Sequence, residues 1–299
     1  MTIKVAVTGA SGFLGRAICQ QLLSEGINVL GISRDPDKSS KVGPSGMQWS
    51  TLSDVDLSGF TAVVHLAGER ILPGRWTPKR KELIRSSRVE GTRALVEAMV
   101  RASPKPLALI ASSAVGYYGD RVDEKVCESS PHGEGFLADV SMEWESASME
   151  ASEHDIRVVL MRLGVVLGAG GGALKSMLPA FKLGVGGPMG SGNQPFPWVH
   201  INDVAAFVSA AVARGEISGP FNLVAGCLPQ GEFAKALGRS IRRPSFMPAP
   251  SIALRLIMGE GADALLGGQN ASSERLSEFG LSPKYSDLGT ALSDIFGNS

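Results

Sequence analysis

Short apolar runs alternate along the chain with segments whose apolar residues recur every three or four positions. The first kind of pattern predicts buried strands, and the second predicts amphipathic helices. The predicted strands are "IKVAVTG", "INVLGIS", "FTAVVHLAG", "LALIASSA" and "IRVVLMRLGVVLG", and the predicted helices between them are "RAICQQLLSEG", "KRKELIRSSRVEGTRALVEAMVRA" and "FLADVSMEWESASMEA". Strands that alternate with helices pair in parallel through right-handed crossovers. The pattern therefore predicts the α/β class, with a Rossmann-type doubly wound parallel sheet.

The alternation changes after residue 168, which divides the chain into three predicted parts. Residues 1–168 form the Rossmann domain, and residues 169–242 carry glycine- and proline-rich substrate-side loops with the remaining sheet elements. Residues 243–299 form a small helical C-terminal module that begins with the proline-rich "RRPSFMPAP". The apolar face of "IALRLIM" has to be covered, so we expect these helices to pack over the substrate side of the cleft as a partial lid.

The composition narrows the choice of partners. The chain of 299 residues is 43% hydrophobic, which is enough for a large core. Basic and acidic residues number 29 each, so no global field attracts nucleic acid or a membrane, and a small molecule is the expected partner. The cysteines Cys19, Cys127 and Cys227 lack metal-ligand spacing, so no metal is expected. The chain shows no leader pattern and no membrane-length apolar run, which predicts a cytoplasmic protein.

A glycine-rich turn follows the first predicted strand. The string "TGASGFLG" places Gly9, Gly12 and Gly15 between that strand and the first helix. Gly9 permits the tight turn, Gly12 lets the backbone approach a pyrophosphate, and Gly15 lets the helix pack closely. The unpaired N–H groups at the helix N-terminus can then bind the anion. In this strand-turn-helix context the turn predicts a dinucleotide site.

The end of the second strand indicates which dinucleotide is bound. An acidic residue there binds the ribose hydroxyls of NAD, whereas a basic residue accommodates the 2′-phosphate of NADP. This chain has Ser33 and Arg34 at that position, followed by Asp35. A hydroxyl and a guanidinium together suit a phosphate. The cofactor predicted from these residues is NADP, although the alternative of a solvated arginine in a turn stays open.

Several strings together resemble a known superfamily. "TGASGFLG", "VVHLAG", "VEGT" and "SSAVGYYG" are similar to the extended, epimerase-like branch of the short-chain dehydrogenases/reductases over about residues 3 to 240. The longer strings "RWTPKRKELIRSSRVEGT", "GGPMGSGNQPFPWVHINDV" and "PAPSIALRLIMGEGADALLGGQ" resemble a narrower group. That group contains the atypical "epimerase family" proteins, also labelled cell-division-inhibitor-like, which carry an appended C-terminal domain. The resemblance implies NADP binding more securely than it implies any reaction.

The glycine turn and the resemblance together predict the residues that contact the cofactor. One of them, Arg88, stands where extended relatives usually have an asparagine. It lies near Gly91, on the helix end expected to face the cofactor pocket. The predicted contacts are Gly9, Ser11, Gly12, Phe13, Leu14, Gly15, Ser33, Arg34, Leu66, Ala67, Gly68, Glu82, Arg88, Ser112 and Val166.

The superfamily's catalytic tyrosine and lysine are missing. In its members a tyrosine followed four positions later by a lysine moves the proton, because the positive lysine lowers the phenol pKa. Aligning the helix on Glu145 places Leu137 at the tyrosine position and Ser141 at the lysine position, and neither residue can do this chemistry. This helix is left with a packing role. Leu137, Val140 and Trp144 share one helical face, which we expect to be buried against the sheet.

A few side chains remain as candidates for catalysis. Ser113 lies four residues before Tyr117, the serine-to-tyrosine spacing of epimerases, and Tyr118 is the other phenol nearby. The alternative for both tyrosines is packing at a strand edge. Glu69 is a candidate cleft carboxylate with a raised pKa, or else an exposed loop residue. His200 and Asp203, three residues apart, form either an acid/base pair or a structural pair that anchors the substrate loop.

Two functions from different classes follow from these residues. The first is an NADP-binding oxidoreductase or epimerase-like enzyme that acts on a small molecule with non-standard proton transfer, through Ser113, Tyr117 or Tyr118. The second is a catalytically silent NADP(H)-binding protein that senses redox state or regulates a partner. The missing dyad favours the second, and the glycine-rich loops from Gly168 to Trp198 favour the first.

Overall fold

The computed structural model describes residues 3–72 and 74–297 of the chain. Its strands, in chain order, are β1 (Lys4–Thr8), β2 (Asn28–Ile32), β3 (Gln48–Ser50), β4 (Ala62–His65), β5 (Ala108–Ala114), β6 (Arg121–Val126), β7 (Arg157–Leu163), β8 (Val165–Leu167), β9 (Pro195–His200), β10 (Gly219–Leu223), β11 (Gly226–Pro229) and β12 (Gln269–Ala271). Seven of them form one sheet in the order β10-β7-β5-β4-β1-β2-β3. Every neighbouring pair in this sheet is parallel. The predicted doubly wound parallel sheet is therefore confirmed.

The helices, in chain order, are α1 (Phe13–Ser24), α2 (Pro36–Ser40), α3 (Pro78–Arg101), α4 (Phe136–Met149), α5 (Gly172–Lys182), α6 (Ile201–Ala213), α7 (Gln230–Ser240), α8 (Ser251–Met258), α9 (Asp263–Leu266), α10 (Arg275–Glu278) and α11 (Leu288–Phe296). Helices α1 and α6 cover one face of the large sheet, and α3 covers the other. Successive residues of a strand point to opposite faces. Accordingly Val5 and Val7 pack with α1 and α6, whereas Ala6 packs on the side of α3.

The predicted strand "IRVVLMRLGVVLG" is interrupted at Gly164. Its first part, β7, belongs to the large sheet, and its second part, β8, joins a separate sheet of order β11-β9-β8. A Cβ on Gly164 would lie 3.0 Å from the carbonyl oxygen of Pro197. The backbones therefore approach closely where the chain changes sheets, and glycine allows that approach.

The C-terminal module also departs from the prediction in two respects. It is not entirely helical, because β12 pairs in parallel with β6 of the N-terminal part. In addition, no part of the chain that the structure describes covers the apolar face of α8. The side chains of Ile252, Leu256 and Ile257 are 73%, 67% and 72% exposed. Amphipathic spacing predicted the helix correctly, but it did not show where the apolar face points.

The proximity predicted for the C-terminal module is confirmed. The side-chain amide of Gln194 donates a hydrogen bond to the carbonyl oxygen of Leu265 at 3.0 Å. Ala264 of α9 packs with Trp76, Ile84 and Val140 in one apolar cluster. The module thus lies against the glycine-rich loop and against the wall of the cleft described below. Among the helices of residues 3–72 and 74–297, none combines the length and hydropathy that a bilayer crossing requires.

Candidate cofactor and substrate cleft

A cleft of about 340 Å³ opens at the carboxyl ends of β1, β4, β5 and β7. Ligands of open α/β sheets bind outside the carboxyl ends of the strands. One end of the cleft is formed by the glycine-rich turn, and the other is formed by α3 and α4. Ten of the predicted site residues line it: Gly9, Gly12, Phe13, Leu14, Gly15, Leu66, Arg88, Ser112, Ser113 and Val166.

The glycine-rich turn has the geometry of an anion cradle. Gly9 has φ +68°, and a Cβ on Gly15 would lie 2.2 Å from the Gly9 carbonyl oxygen. Helix α1 begins after Gly12, which has no side chain to accept a hydrogen bond, and the first turn contains no acidic residue. The first N–H groups of α1 are therefore left for an external anion.

The end of β2 carries a cluster of hydroxyl groups. The Ser33 and Ser39 hydroxyls are 2.6 Å apart, and the Ser39 hydroxyl donates to Ser11 Oγ at 3.4 Å. The side chain of Arg34 beside them is exposed. The carboxylate of Asp35 accepts a hydrogen bond from the Lys38 N–H at 3.0 Å, so it caps α2. The acidic residue next to Arg34 is thus already engaged in capping the helix.

The turn after β4 is held by a chain of buried hydrogen bonds through His65. Thr8 Oγ1 accepts from the N–H groups of Leu66 and Ala67 and lies 2.7 Å from His65 Nδ1. His65 Nε2 lies 3.0 Å from Thr92 Oγ1, which donates to the Arg88 carbonyl oxygen. The one hydroxyl proton of Thr92 goes to the Arg88 carbonyl oxygen, so Thr92 accepts from His65 Nε2. The hydroxyl proton of Thr8 is free to be donated to His65 Nδ1. Neutral imidazole meets both requirements.

We expect the stability of the fold to depend on pH through His65. Burial lowers its pKa from 6.5 to about 4. A lowered folded-state pKa contributes stability above pH 6.5 that is lost as the pH falls toward 4, at up to about 1.4 kcal/mol per pH unit. Urea unfolding at a series of pH values gives the free energy of unfolding against pH. His65→Gln should remove this contribution from that profile, whereas His154→Gln, at an exposed position, should leave it in place. Parallel pH profiles for the protein and His65→Gln would contradict the assignment.

Arg88 of α3 is the one charged side chain among the described residues that line the cleft. It is 9% exposed, and its Nη1 donates to the carbonyl oxygens of Glu69 and Ile84 at 3.0 and 3.2 Å. Its guanidinium also lies beside Gly68, where an added Cβ would be 3.3 Å from Arg88 Cζ. Glu82, by contrast, is exposed on the same helix and is not among the residues that line the cleft.

Glu69 does not have the environment that its predicted role requires. Arg80 Nη1 donates to its carboxylate at 2.8 Å. That hydrogen bond lowers the pKa of Glu69, whereas the sequence interpretation of a catalytic carboxylate needed a raised pKa. The prediction of a raised pKa is therefore wrong, because a neighbouring cation stabilises the charged form.

Helix α4 carries the two residues that stand in place of the catalytic tyrosine and lysine, and it presents both to the cleft. Leu137 and Ser141, which stand at the tyrosine and lysine positions, both line it. Val140 and Trp144 are 2% and 6% exposed, and Leu137 is half-buried. The predicted burial therefore holds for Val140 and Trp144, but the predicted packing against the sheet does not: Val140 belongs to an apolar cluster with Trp76 and with Ile84 of α3, and none of the residues of that cluster lies on a strand. The indole Nε1 of Trp144 is buried without a hydrogen-bond partner among the described residues.

A buried ion pair lies behind the cleft. Arg162 of β7 and Glu145 of α4 form two hydrogen bonds of 2.8 Å, with side chains 5% and 9% exposed. The Ser113 hydroxyl donates to Glu145 Oε1 at 2.6 Å. The single proton of Ser113 is therefore directed at a carboxylate, and in this arrangement it is not available to a substrate carbonyl.

The two candidate tyrosines belong to the same buried network. Tyr118 is fully buried, donates to Asn222 Oδ1 and accepts from Arg162 Nη1, both at 2.8 Å. Burial raises its pKa to about 12. The Tyr117 ring lies against the Arg162 guanidinium, 3.6 Å from its carbon to the ring centroid. These contacts support the packing alternative for Tyr118 and give no support to proton transfer by that residue.

His200 and Asp203 serve the C-terminal segment instead of the cleft. The Asp203 carboxylate accepts hydrogen bonds from the N–H groups of Lys284 and Tyr285. The His200 ring packs against the Tyr285 ring at a tilt of 33°, with centroids 3.9 Å apart, and His200 Nε2 lies 3.4 Å from the Asp294 carboxylate of α11. The structural alternative is therefore favoured, although the pair anchors the segment around α11, not the glycine-rich loop.

Arg162 lies at the centre of this buried network, but neither it nor its partners Glu128 and Asn222 were predicted from the sequence. Arg162 Nη1 also donates to the Glu128 carbonyl oxygen, and Glu128 Oε1 accepts from the Asn222 N–H. A signal was present: one arginine interrupts the apolar run "VVLMRLG", and a charge in a buried strand requires a partner.

The fold and the cleft together define a dinucleotide-binding protein of the extended Rossmann type. The sequence model of the "NAD dependent epimerase/dehydratase family" matches residues 5–223. The chain belongs to this family. Residues 249–295 match a second model, described as "Domain of unknown function (DUF1731)", which accounts for most of the C-terminal module.

Similar proteins come from distant organisms. Mouse "Epimerase family protein SDR39U1" is 38% identical over 98% of this chain and 99% of the relative. An Arabidopsis thaliana relative, "Epimerase family protein SDR39U1 homolog, chloroplastic", is 37% identical over 98% of this chain and 86% of its own. The crystal structure of human epimerase family protein SDR39U1 (isoform2) with NADPH superposes with a TM-score of 0.91 at 35% identity, covering 99% of this chain and 100% of that one.

Proposed function

We propose that this chain binds NADPH in the cleft and acts as an oxidoreductase on a small molecule without a catalytic tyrosine. The observation that carries the proposal is the pairing of two anion sites. One is the uncapped N-terminus of α1 after Gly12, and the other is the hydroxyl and arginine cluster at the end of β2. The pyrophosphate of NADPH matches the first of these sites, and its 2′-phosphate matches the second. The human relative crystallised with NADPH supports the same choice.

The residues of the cleft fit this cofactor. The first N–H groups of α1, at Phe13 and Leu14, would bind the pyrophosphate. Ser33 and Arg34 would bind the 2′-phosphate, because Asp35 is engaged in capping α2. Of the other predicted contacts, Leu66, Ser112 and Val166 line the cleft, and Ala67 and Gly68 follow Leu66 in the turn after β4. When bound, the cofactor would supply a hydride.

The described residues that line the cleft include no ordinary proton donor. Among the described lining residues there is no tyrosine, lysine, histidine or carboxylate. Ser113 directs its proton to Glu145, and Ser141 carries no charge. We therefore propose that a substrate obtains its proton from water, while the apolar wall and Arg88 orient it. The same observation favours the second candidate, a catalytically silent NADP(H)-binding protein.

Turnover distinguishes the two candidates. NADPH oxidation should be followed with a panel of carbonyl compounds, using the unmodified protein, Ser141→Ala and Tyr117→Phe. We expect oxidation by at least one compound, with both variants within about threefold of the unmodified protein because neither hydroxyl transfers the proton. A loss of roughly 100-fold or more in either variant would contradict water as the proton source. Tight NADPH binding with no oxidation by any compound would support the silent alternative.

Partner class and location stay predictions from the sequence. We propose a small-molecule substrate, with neither nucleic acid nor a membrane as a partner, and a cytoplasmic location. One relative is named as chloroplastic.

A further inference from the structure

A second cavity lies apart from the cofactor cleft, where the C-terminal module meets the end of the large sheet. Its volume is about 460 Å³, and none of the described residues that line it also lines the cofactor cleft. The chain between β10 and β11 forms one side, β12 and the two serines after it form another, and α10 forms a third. A cavity of this size can hold a small molecule.

The charge in this second cavity is positive. Lys125 is the one charged side chain among the described residues that line it. It lies on β6 directly opposite Asn270 of β12, and it forms no ion pair within the part of the chain that the structure describes. A site lined by charge of one sign attracts ligands of the other sign. The second cavity therefore favours an anion over a cation.

The serine hydroxyl groups in the wall already donate their protons to the protein. Ser272, Ser273 and Ser277 donate to backbone carbonyl oxygens at 3.3, 2.6 and 2.9 Å, respectively. A hydroxyl group has one proton and two lone pairs, so these serines offer a ligand hydrogen-bond acceptors. The ligand must then supply the donors. Lys125 would repel ammonium donors, whereas neutral hydroxyl groups meet the requirement.

The floor of the second cavity is apolar. It includes Val224 and Leu276, which are 6% and 7% exposed, and Leu281, which packs against the main core. Such a floor can pack against the C–H groups of a carbon skeleton. Together with the acceptors and the lysine, it suits a hydroxylated carbon skeleton that carries an anionic group.

Hydrogen bonds join the wall of the second cavity to the wall of the cofactor cleft. Ser273 Oγ donates to the carbonyl oxygen of Asn222 at 2.6 Å, and Asn222 Oδ1 accepts from the Tyr118 hydroxyl at 2.8 Å. Tyr118 accepts in turn from Arg162 at 2.8 Å, and the ion pair of Arg162 ends at the Ser113 hydroxyl in the cofactor cleft. Close-packed interiors transmit displacements. A ligand that shifts or fixes Ser273 would therefore act on groups that extend to the cofactor cleft.

We propose that the second cavity binds a small polyhydroxylated anion, a sugar acid or a sugar phosphate, and that this ligand changes the affinity of the cofactor cleft for NADPH through the network of Arg162. Lys125 supplies the charge, and the serine oxygens accept from the hydroxyl groups of the ligand. The coupling rests on the proposed function, whereas the binding site does not. The anionic group could be a carboxylate or a phosphate ester, and the experiment separates these two sources.

The binding test is calorimetric titration of the protein with D-gluconate, glucose 6-phosphate, glucose and inorganic phosphate. At least one of the two sugar anions should bind roughly 10-fold more tightly than both glucose and inorganic phosphate, because only the sugar anions combine charge with hydroxyl groups. Binding of gluconate alone would identify a sugar acid as the ligand. Binding of glucose 6-phosphate alone would identify a phosphate ester.

Two variants locate the bound anion. Lys125→Met removes the cation and Ser277→Leu fills the cavity, so each should weaken sugar-anion binding by roughly 10-fold or more. Both positions are exposed, so the fold should tolerate these changes. Lys235→Met is the matched control, because Lys235 is exposed on α7 and does not line the second cavity. This control should leave the affinity unchanged.

The coupling is tested by NADPH titration with and without a saturating concentration of the sugar anion that binds. The anion should change the NADPH affinity at least about fivefold, as is typical of coupled sites. Tyr118→Phe removes the hydroxyl that joins Asn222 to Arg162 and should abolish most of this effect. Tyr285→Phe is the control, since its hydroxyl bonds outside the network. If Tyr118→Phe fails to fold, Ser113→Ala interrupts the network at its other end.

Specific outcomes would overturn the inference. If neither sugar anion binds more tightly than glucose and inorganic phosphate, the cavity is no such site. Sugar-anion binding that is unchanged in Lys125→Met and Ser277→Leu would place the ligand elsewhere. An unchanged NADPH affinity, or coupling that survives in the network variants, would overturn the coupling. Failure of the unmodified protein to bind NADPH would contradict the proposed function and with it the coupling, while the first titrations still decide the binding site.

Discussion

Glu145→Gln is expected to lower the free energy of unfolding by about 3 to 5 kcal/mol, since removing one partner of a buried ion pair leaves the other charge uncompensated. The Arg162 guanidinium would remain among buried groups that are neutral or already engaged. Its Nε and Nη2 hydrogen bonds to Glu145 are both 2.8 Å in length. The substitution also weakens the acceptor of the Ser113 hydroxyl.

Urea unfolding measures this loss, and the chain contains a matched control. Glu150, at the end of α4, pairs with Arg93 at 3.0 Å, but these side chains are 42% and 46% exposed. Glu150→Gln should therefore cost less than about 1 kcal/mol. The difference between the two variants isolates burial, because both remove one carboxylate charge. If both variants lowered the free energy of unfolding by the same amount, the buried pair of Arg162 and Glu145 would contribute no more to stability than the exposed pair does.

Arg34→Asp is expected to reverse or erase a preference for NADPH over NADH. A hydrogen bond between charged groups is worth about 1.5–3 kcal/mol, which corresponds to roughly 10- to 100-fold in affinity. Arg34 is exposed beside the hydroxyl cluster of Ser33 and Ser39, so it can reach a 2′-phosphate without rearranging the core. An aspartate would repel that phosphate and could accept hydrogen bonds from the ribose of NADH.

Fluorescence titration with both cofactors gives the affinity ratio. Lys41→Asp is the control, because Lys41 is exposed at the end of α2 and the change alters the net charge by the same amount. That variant should keep most of the preference, since exposed charges are screened over about 10 Å at moderate salt. Equal affinity of the unmodified protein for NADPH and NADH would remove the basis of the assignment.

The features that were predictable from the sequence are those encoded locally. The glycine-rich turn was recognisable because its three glycines meet backbone requirements within a single turn, such as the close approach of Gly15 to Gly9. The positions of Leu137 and Ser141 followed from aligning the helix on Glu145 by resemblance to the superfamily, with the two residues four positions apart on one helical face. Both residues do line the cleft. Local periodicity also gave the parallel sheet.

Long-range pairings were not predictable in the same way. Arg162 and Glu145 lie on a strand and a helix, and nothing in either local pattern specifies that they meet. The pairing of β12 with β6 joins segments from opposite ends of the chain. Hydrophobic spacing identified α8, but exposure depends on what else packs there, and its apolar face is open in this chain.

The catalytic candidates show a related limit. Tyr117 and Tyr118 are adjacent in sequence, and both were candidates for the same role. They lie in a short 3₁₀ turn, Val115–Tyr118, which directs successive side chains differently. Tyr118 is fully buried, and Tyr117 is only partly buried. The burial that raises the Tyr118 pKa is a property of the folded surroundings that composition could not reveal.

The binding mode proposed for NADPH can be observed in a crystal structure of the complex of this protein with NADPH. We expect the pyrophosphate at the first N–H groups of α1 after Gly12, the 2′-phosphate beside Ser33 and Arg34, and the nicotinamide toward Ser113 and α4. Electron density for NADPH at another surface, or a 2′-phosphate that points away from Arg34, would show that the proposed site is wrong.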